Sequence, residues 1–222
     1  LHSTSRRQRQ MCKETAIKGT NIWGNTLTAS VTNTNSATLS YQWYYTTNTT
    51  VTGGTAIANA TSSTYVIDKS LVGKYIYVVV TASKTNYNKV TWSDITDTTN
   101  KTATVAKQAL SVTANAATAT YDGKEHNATV KVNSASWDGK TIVSGTSTSY
   151  GNTVTSAGVT GKTYNLLPSR TAQGTTSISY KITGGSYYND FKGASSVSIN
   201  PSSGLSGSVT IKGTNIWGNT LT

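Results

Sequence analysis

Cysteine is almost missing from this chain: its 222 residues include one, Cys12. A disulfide framework or a thiolate metal site in the body of the chain is thereby excluded, although an extracellular address is not. Charge is also scarce, at 12% of residues, and the few Leu, Met and Glu leave little from which to build helices. No apolar run approaches the roughly 18 residues of a membrane span. The first fourteen residues hold Arg6, Arg7 and Arg9 but no apolar stretch that would make them a signal peptide. Neither secretion nor anchoring can therefore be read from the chain itself.

Thr, Ser, Asn and Gly fill much of the sequence, and 13 Tyr and 5 Trp supply most of the aromatic bulk. Thr, Val, Ile, Tyr and Trp suit a pleated, half-buried surface, and apolar residues recur at every second position rather than at helical spacing. The hydrophobic share of 35% is low enough to raise the question of disorder. The apolar residues nevertheless cluster into alternating blocks, which points to folded β-structure. The fold class expected is all-β, as two tandem β-sandwich-like modules without substantial helix.

Residues Ile17 to Thr28 read IKGTNIWGNTLT, and the same twelve residues return as Ile211 to Thr222, 194 positions later. Such identity implies recent duplication of a whole building block, and tandem arrays serve reach or multivalency more than chemistry. The identity ends upstream where Ala16 faces Thr210, so residues 1–14 are expected to be a basic, disordered segment foreign to the repeat. The whole is expected to be a fragment of a longer protein. Division of the unit gives a first module over residues 15–106, a second over 107–201, and a linker plus the truncated start of the next repeat over 202–222. Outside the foreign segment the chain has 15 basic and seven acidic residues, and its lysines are dispersed. Dispersed charge favours solubility and weak attraction to polyanions over a specific nucleic-acid groove.

In the first module strands are expected at Thr26–Thr32, Leu39–Thr46, Ser63–Asp68, Tyr75–Ser83 and Lys101–Val105, with a break at Gly53 and Gly54. The blocks TLSYQWYY (38–45), ATSSTYVI (60–67) and LVGKYIYVVVTAS (71–83) resemble the Ig-like repeats of bacterial surface proteins. The resemblance implies a two-sheet sandwich centred on Trp43. Leu71 stands where that family commonly carries an Asp, which removes a turn-stabilising carboxylate. Alternation places Leu39, Tyr41 and Trp43 on one face and Ile76, Val78 and Val80 in the core. Tyr44, Tyr77 and Trp92 are then left as exposed aromatics, which would contact a glycan or cover a neighbouring module.

Strands in the second module are expected at Leu110–Thr113, Ala119–Tyr121, Ala128–Asn133, Ser177–Thr183 and Ser196–Asn200, with turns at Asp122-Gly123, Asp138-Gly139 and Gly184-Gly185. The blocks TYDGKEHNATVKV (120–132) and ITGGSYYNDFKGASSVSINP (182–201) resemble the MBG or YDG-type all-β modules of bacterial adhesin-like proteins. That family implies architecture more than mechanism. The connection Ala106–Ala109 is too short for a loose tether, so the modules should sit end to end with limited swing. The tail beyond Pro201 opens with SSGLSGS, a Gly/Ser bridge, and its lone opening strand should be disordered or loosely docked.

Within the modules His126 is the sole histidine, and the acids are Asp68, Asp94, Asp97, Asp122, Glu125, Asp138 and Asp190. Asp122 and Asp138 each precede Gly, where a short acceptor supports a turn. Glu125 and His126 are adjacent and would point to opposite faces of a strand, so no dyad is expected. No nucleophile elbow, phosphate loop or Cys/His metal spacing occurs, and dispersed carboxylates do not make a calcium site. The expected protein is non-catalytic, with no cofactor or metal: a stalk or spacer unit of a bacterial cell-surface, adhesin-like array whose partners are neighbouring repeats. The alternative is weak multivalent gripping of a glycan or anionic cell-wall polymer through exposed aromatics and lysines. Surface sandwiches can also crosslink a buried Lys to an Asn or Asp, but the lysines and asparagines here form no motif for it and no residues are nominated.

Overall fold

A computed structural model describes residues 15–32, 36–49, 51–95, 103–146, 149–205, 207–212 and 217. The foreign segment 1–14 and the first residues of the strand expected at Lys101–Val105 lie outside them. Among the described residues the structure is all-β, interrupted by one 3-10 turn at Lys69–Leu71. No helix in this set is long and apolar enough to cross a membrane.

Two hydrophobic cores form, each enclosed by a pair of sheets. The first lies between a three-stranded sheet of β1 (Thr15–Lys18), β2 (Thr26–Val31) and β5 (Thr64–Val66) and a four-stranded sheet of β3 (Thr38–Thr46), β4 (Thr55–Ala56), β6 (Tyr75–Ser83) and β7 (Val90–Ile95). The register of β3 against β6 sets Leu39 opposite Ala82, Tyr41 opposite Val80 and Trp43 opposite Val78. One face of both strands is therefore apolar along its length. Trp43, Ile76, Val78 and Val80 are fully buried on that face, while Leu39 and Tyr41 pack half-buried against them nearer the end of the sheet. The Trp43 indole N–H donates to the Ser62 carbonyl at 2.9 Å, and its ring stacks on Tyr65, so the one polar atom of this large side chain is satisfied.

Leu71, in place of the carboxylate expected at that corner, is itself a core residue. The corner takes its carboxylate from Asp68, whose Oδ1 accepts the Ser70 N–H at 2.8 Å and caps the 3-10 turn. Replacing Asp68 with alanine is expected to lower first-module stability by about 1 kcal/mol, read as a shift in the denaturant midpoint.

The second core lies between β8 (Val112–Asn115), β10 (Thr129–Val132) and β13 (Thr163–Asn165) on one side and a five-stranded sheet on the other. That sheet comprises β9 (Ala117–Thr120), β11 (Ile142–Gly145), β12 (Asn152–Thr155), β14 (Gly174–Ile182) and β15 (Phe191–Asn200). The chain changes sheets at Ala116, because β8 pairs with β10 whereas β9 runs parallel to β15. The long β14–β15 pair brings Ile178, Tyr180, Ile182, Val197 and Ile199 into the core. Trp137, from the middle stretch without diagnostic motifs, is buried there, with its indole N–H donated to the Thr183 carbonyl at 2.6 Å.

Candidate functional site

The place where the two cores meet is built on Trp23, a residue of the duplicated dodecamer. Its ring packs against both hydrophobic clusters. The indole lies edge-on to Tyr188 at 5.2 Å and to Tyr187 at 6.4 Å, and its N–H donates to the Tyr187 carbonyl. The Gln108 side-chain amide donates in turn to the Trp23 carbonyl. Gly24, at φ +82°, leaves the room this requires, since a Cβ there would stand 2.5 Å from Gln108 Nε2.

The connecting segment is tied into both modules by isolated β-bridges. Ala106 pairs with Ile22, receiving the Trp23 N–H and donating to the Asn21 carbonyl. Two residues later Gln108 pairs with Tyr188, donating its N–H to the Tyr187 carbonyl at 3.0 Å and accepting the Asn189 N–H at 2.8 Å. Lys107 Nζ donates to the Gly185 carbonyl at 2.6 Å, and Lys69 Nζ sits 5.2 Å above the Tyr187 ring. The segment that leaves one module thus enters the next as backbone hydrogen bonding.

Carboxylates hold the loop that carries Tyr187 and Tyr188. Asp190 accepts the Gly184 N–H at 3.0 Å and pairs with Lys181 at 3.1 Å; the hydrogen bond and then the lysine hold its carboxyl below the usual range. At Asp138 burial pulls the other way, but hydrogen bonds from Ser186 and the nearby Lys107 charge outweigh it, and this carboxyl is also lowered. A carboxyl depressed in the native state contributes stability that is complete above its unfolded value of about 4 and is lost as pH falls through the native value. The melting temperature should accordingly be level from neutrality to about pH 5 and fall below about pH 4. Asp190→Asn, which keeps an acceptor for Gly184 but removes the charge, should flatten that acid limb in a series of thermal melts; an unchanged slope would assign the loss to other groups.

The aromatics expected on the outer surface are placed differently. Tyr77 is 3% exposed, because Tyr44 stacks on it with ring centroids 5.0 Å apart and the Gly53–Gly54 loop closes over it. The Gly54 N–H donates to the Tyr77 hydroxyl, and a Cβ on Gly54 would lie 2.6 Å from the Tyr77 ring. Trp92 stands opposite Val80 in the β6–β7 register, so it shares the inward face and packs half-buried on the first core. Tyr44 is half-buried, as the outer member of its stacked pair. The expectation of three free aromatics is therefore corrected for Tyr77 and Trp92: Tyr77 keeps to the face away from the core but is covered there by the Gly54 loop, and β7 carries Trp92 inward.

A polar group gathers at one corner of the second module. The His126 and Arg170 backbones exchange both hydrogen bonds, Asp122 Oδ1 lies 3.0 Å from His126 Nε2, and the Ser169 hydroxyl donates to Glu125. Asp122 also accepts the Lys124 N–H at 2.9 Å, the turn support expected of an Asp before Gly. The His126 contact first, and that N–H second, lower the Asp122 carboxyl. Serine and imidazole are engaged with different carboxylates, so the arrangement ties turn to loop and supplies no serine-to-imidazole relay. Asp138, by contrast, accepts from Ser186 in a distant loop.

Among the described residues no group of three or more His, Cys, Asp or Glu is disposed to hold a metal ion. No lysine is buried in this set, so it contains no lysine in the setting that a Lys–Asn crosslink requires. Trp23, Gln108, Tyr187 and Tyr188 were not candidates on sequence grounds; the available signals were the duplication around Trp23 and the Tyr-Tyr pair in the closing block. No protein-family model and no curated protein matches the chain.

Proposed function

We propose that residues 15–201 form a non-catalytic spacer unit, an Ig-like module followed by an MBG-type module, in a tandem array on a bacterial cell surface or a secreted adhesin-like protein. The observation that carries this reading is the junction. A stalk extends only if its modules keep their angle, and a connection that is hydrogen-bonded into both neighbours, with a tryptophan wedged between the cores, restricts swing far more than a free linker. The duplicated dodecamer supports the array, and the two families supply the surface address. Neighbouring repeats are the partners, and no cofactor enters.

Small-angle X-ray scattering and glycan-array binding test this together. The chain should scatter as one fixed two-module particle whose profile does not change with salt, and a single unit should show no saturable glycan or wall-polymer binding. Saturable binding that drops on Tyr44→Ala would replace the spacer reading with a binding one. Cover over Tyr77 and the inward placement of Trp92 leave that alternative with Tyr44 and the lysines.

A further inference from the structure

The chain enters and leaves the second module along two segments that lie side by side. Gln108 bridges Tyr188, and β9 then pairs with β15 from Ala117 opposite Val197 to Thr120 opposite Asn200, so partners stand 80 positions apart at both ends of the run. Between these contacts the chain turns aside to form β8 against β10. Both pairings are parallel. The entry segment and the exit strand therefore start together at the junction and finish together at the opposite end of the module, where the Tyr121 N–H donates to the Asn200 carbonyl at 2.9 Å. On its other edge β15 pairs with β14 over nine residues, from Ile182 opposite Phe191 to Gly174 opposite Ile199. The exit strand is thus interior to its sheet, with Val197 and Ile199 in the core.

We infer that this parallel pair is a shear clamp, and that the second module carries tension along the chain as well as holding distance. A pull on the unit draws the entry segment toward the junction and β15 the opposite way. The strands are parallel, so the pull runs along them and across their hydrogen bonds, which are strained together. Strands drawn apart from a shared end would instead give up their bonds one after another. Each bond is weak on its own, and the resistance comes from their failing at once. Sliding offers no easier exit. A slip of one residue would turn Val197 and Ile199 to the outer face and bring Ser196 and Ser198 into the core. The same geometry begins at the junction, where Gln108 donates to the Tyr187 carbonyl and accepts the Asn189 N–H. The inference rests on the spacer reading in one respect, that the pull is delivered by neighbouring units of an array.

Single-molecule force spectroscopy tests this on the full chain, carrying Cys12→Ser so that handles attach only at introduced cysteines. Ala109→Cys with Ser202→Cys, both at exposed positions, pulls β9 and β15 in opposite directions along their length. Thr120→Cys with Ser202→Cys takes hold of the same pair at one end and opens it from there. At equal pulling speed the first geometry should need at least about twice the unfolding force of the second, since forced unfolding reads the barrier rather than the equilibrium stability. Two further variants separate the clamp from general stability in the first geometry. Tyr121→Pro, which removes the N–H given to Asn200, should lower the force. Ile142→Val, a core change on β11 at the other side of the sheet, should lower the denaturant midpoint and leave the force unchanged. The two pulling geometries need surface substitutions only, so they decide the matter even if Tyr121→Pro does not fold. Equal forces in the two geometries, or a force that drops with Ile142→Val as much as with Tyr121→Pro, would overturn the inference. Either result would leave the spacer reading standing, because that reading fails on saturable glycan binding or a loose junction, and neither alters this ratio of forces.

Discussion

Trp43→Ala is expected to destabilise the first module by about 3–5 kcal/mol, the range for removing a large aromatic from a closed core. The side chain is 0% exposed, and its indole N–H is the donor to the Ser62 carbonyl. Truncation opens a cavity between the two sheets and removes that carbonyl's partner. Domains of this size hold only about 5–15 kcal/mol in total, so the module should melt well over 10 °C lower, at about 4–8 °C per kcal/mol. The second module has its own core, centred on Ile142, Ile178 and Val130, and its transition should remain. Calorimetry separates the two events, and a single unchanged transition would show that Trp43 is not the centre of an independent core.

Trp23→Ala should have the second-largest effect, in two readouts. Loss of the ring against Tyr187 and Tyr188 and of the indole hydrogen bond removes about 2–4 kcal/mol of coupling, as for a central interface tryptophan. The backbone pairing of Ala106 and Gln108 remains, so the modules stay adjacent but reorient. Amide relaxation should then give two correlation times where the wild type gives one, and X-ray scattering should broaden toward an ensemble. Tumbling that stays common to both modules would place the rigidity in the bridged connecting segment alone. The spacer proposal depends on this coupling, because an array of freely hinged modules gains little reach per residue.

Strong alternation was readable wherever both neighbours of a strand are apolar. Leu39–Thr46 and Tyr75–Ser83 were expected within a residue of where they lie, as were the ends of β14 and β15. β7 was not, and the reason is Asp94: an acid on the inward face interrupts the pattern of Val90 and Trp92. In the fold that carboxylate accepts the Ile17 N–H of β1 at 3.0 Å, a partner 77 residues away in the chain. Without that strand, the sequence leaves Trp92 at the surface. β11, β12 and β13 fall in the stretch without motifs and are not legible there, since strands of three or four residues carry little periodicity.

By itself the sequence determined the all-β class and that two blocks of alternating residues each supply a core. Side-chain direction in a strand repeats every two residues, so local order suffices for those statements. Tertiary structure alone decided what covers each face: the Gly54 loop over Tyr77, β7 bringing Trp92 inward, and a loop 164 residues away receiving Trp23. Cover depends on contacts between segments remote in the chain, and alternation along one strand carries no information about which remote segment arrives.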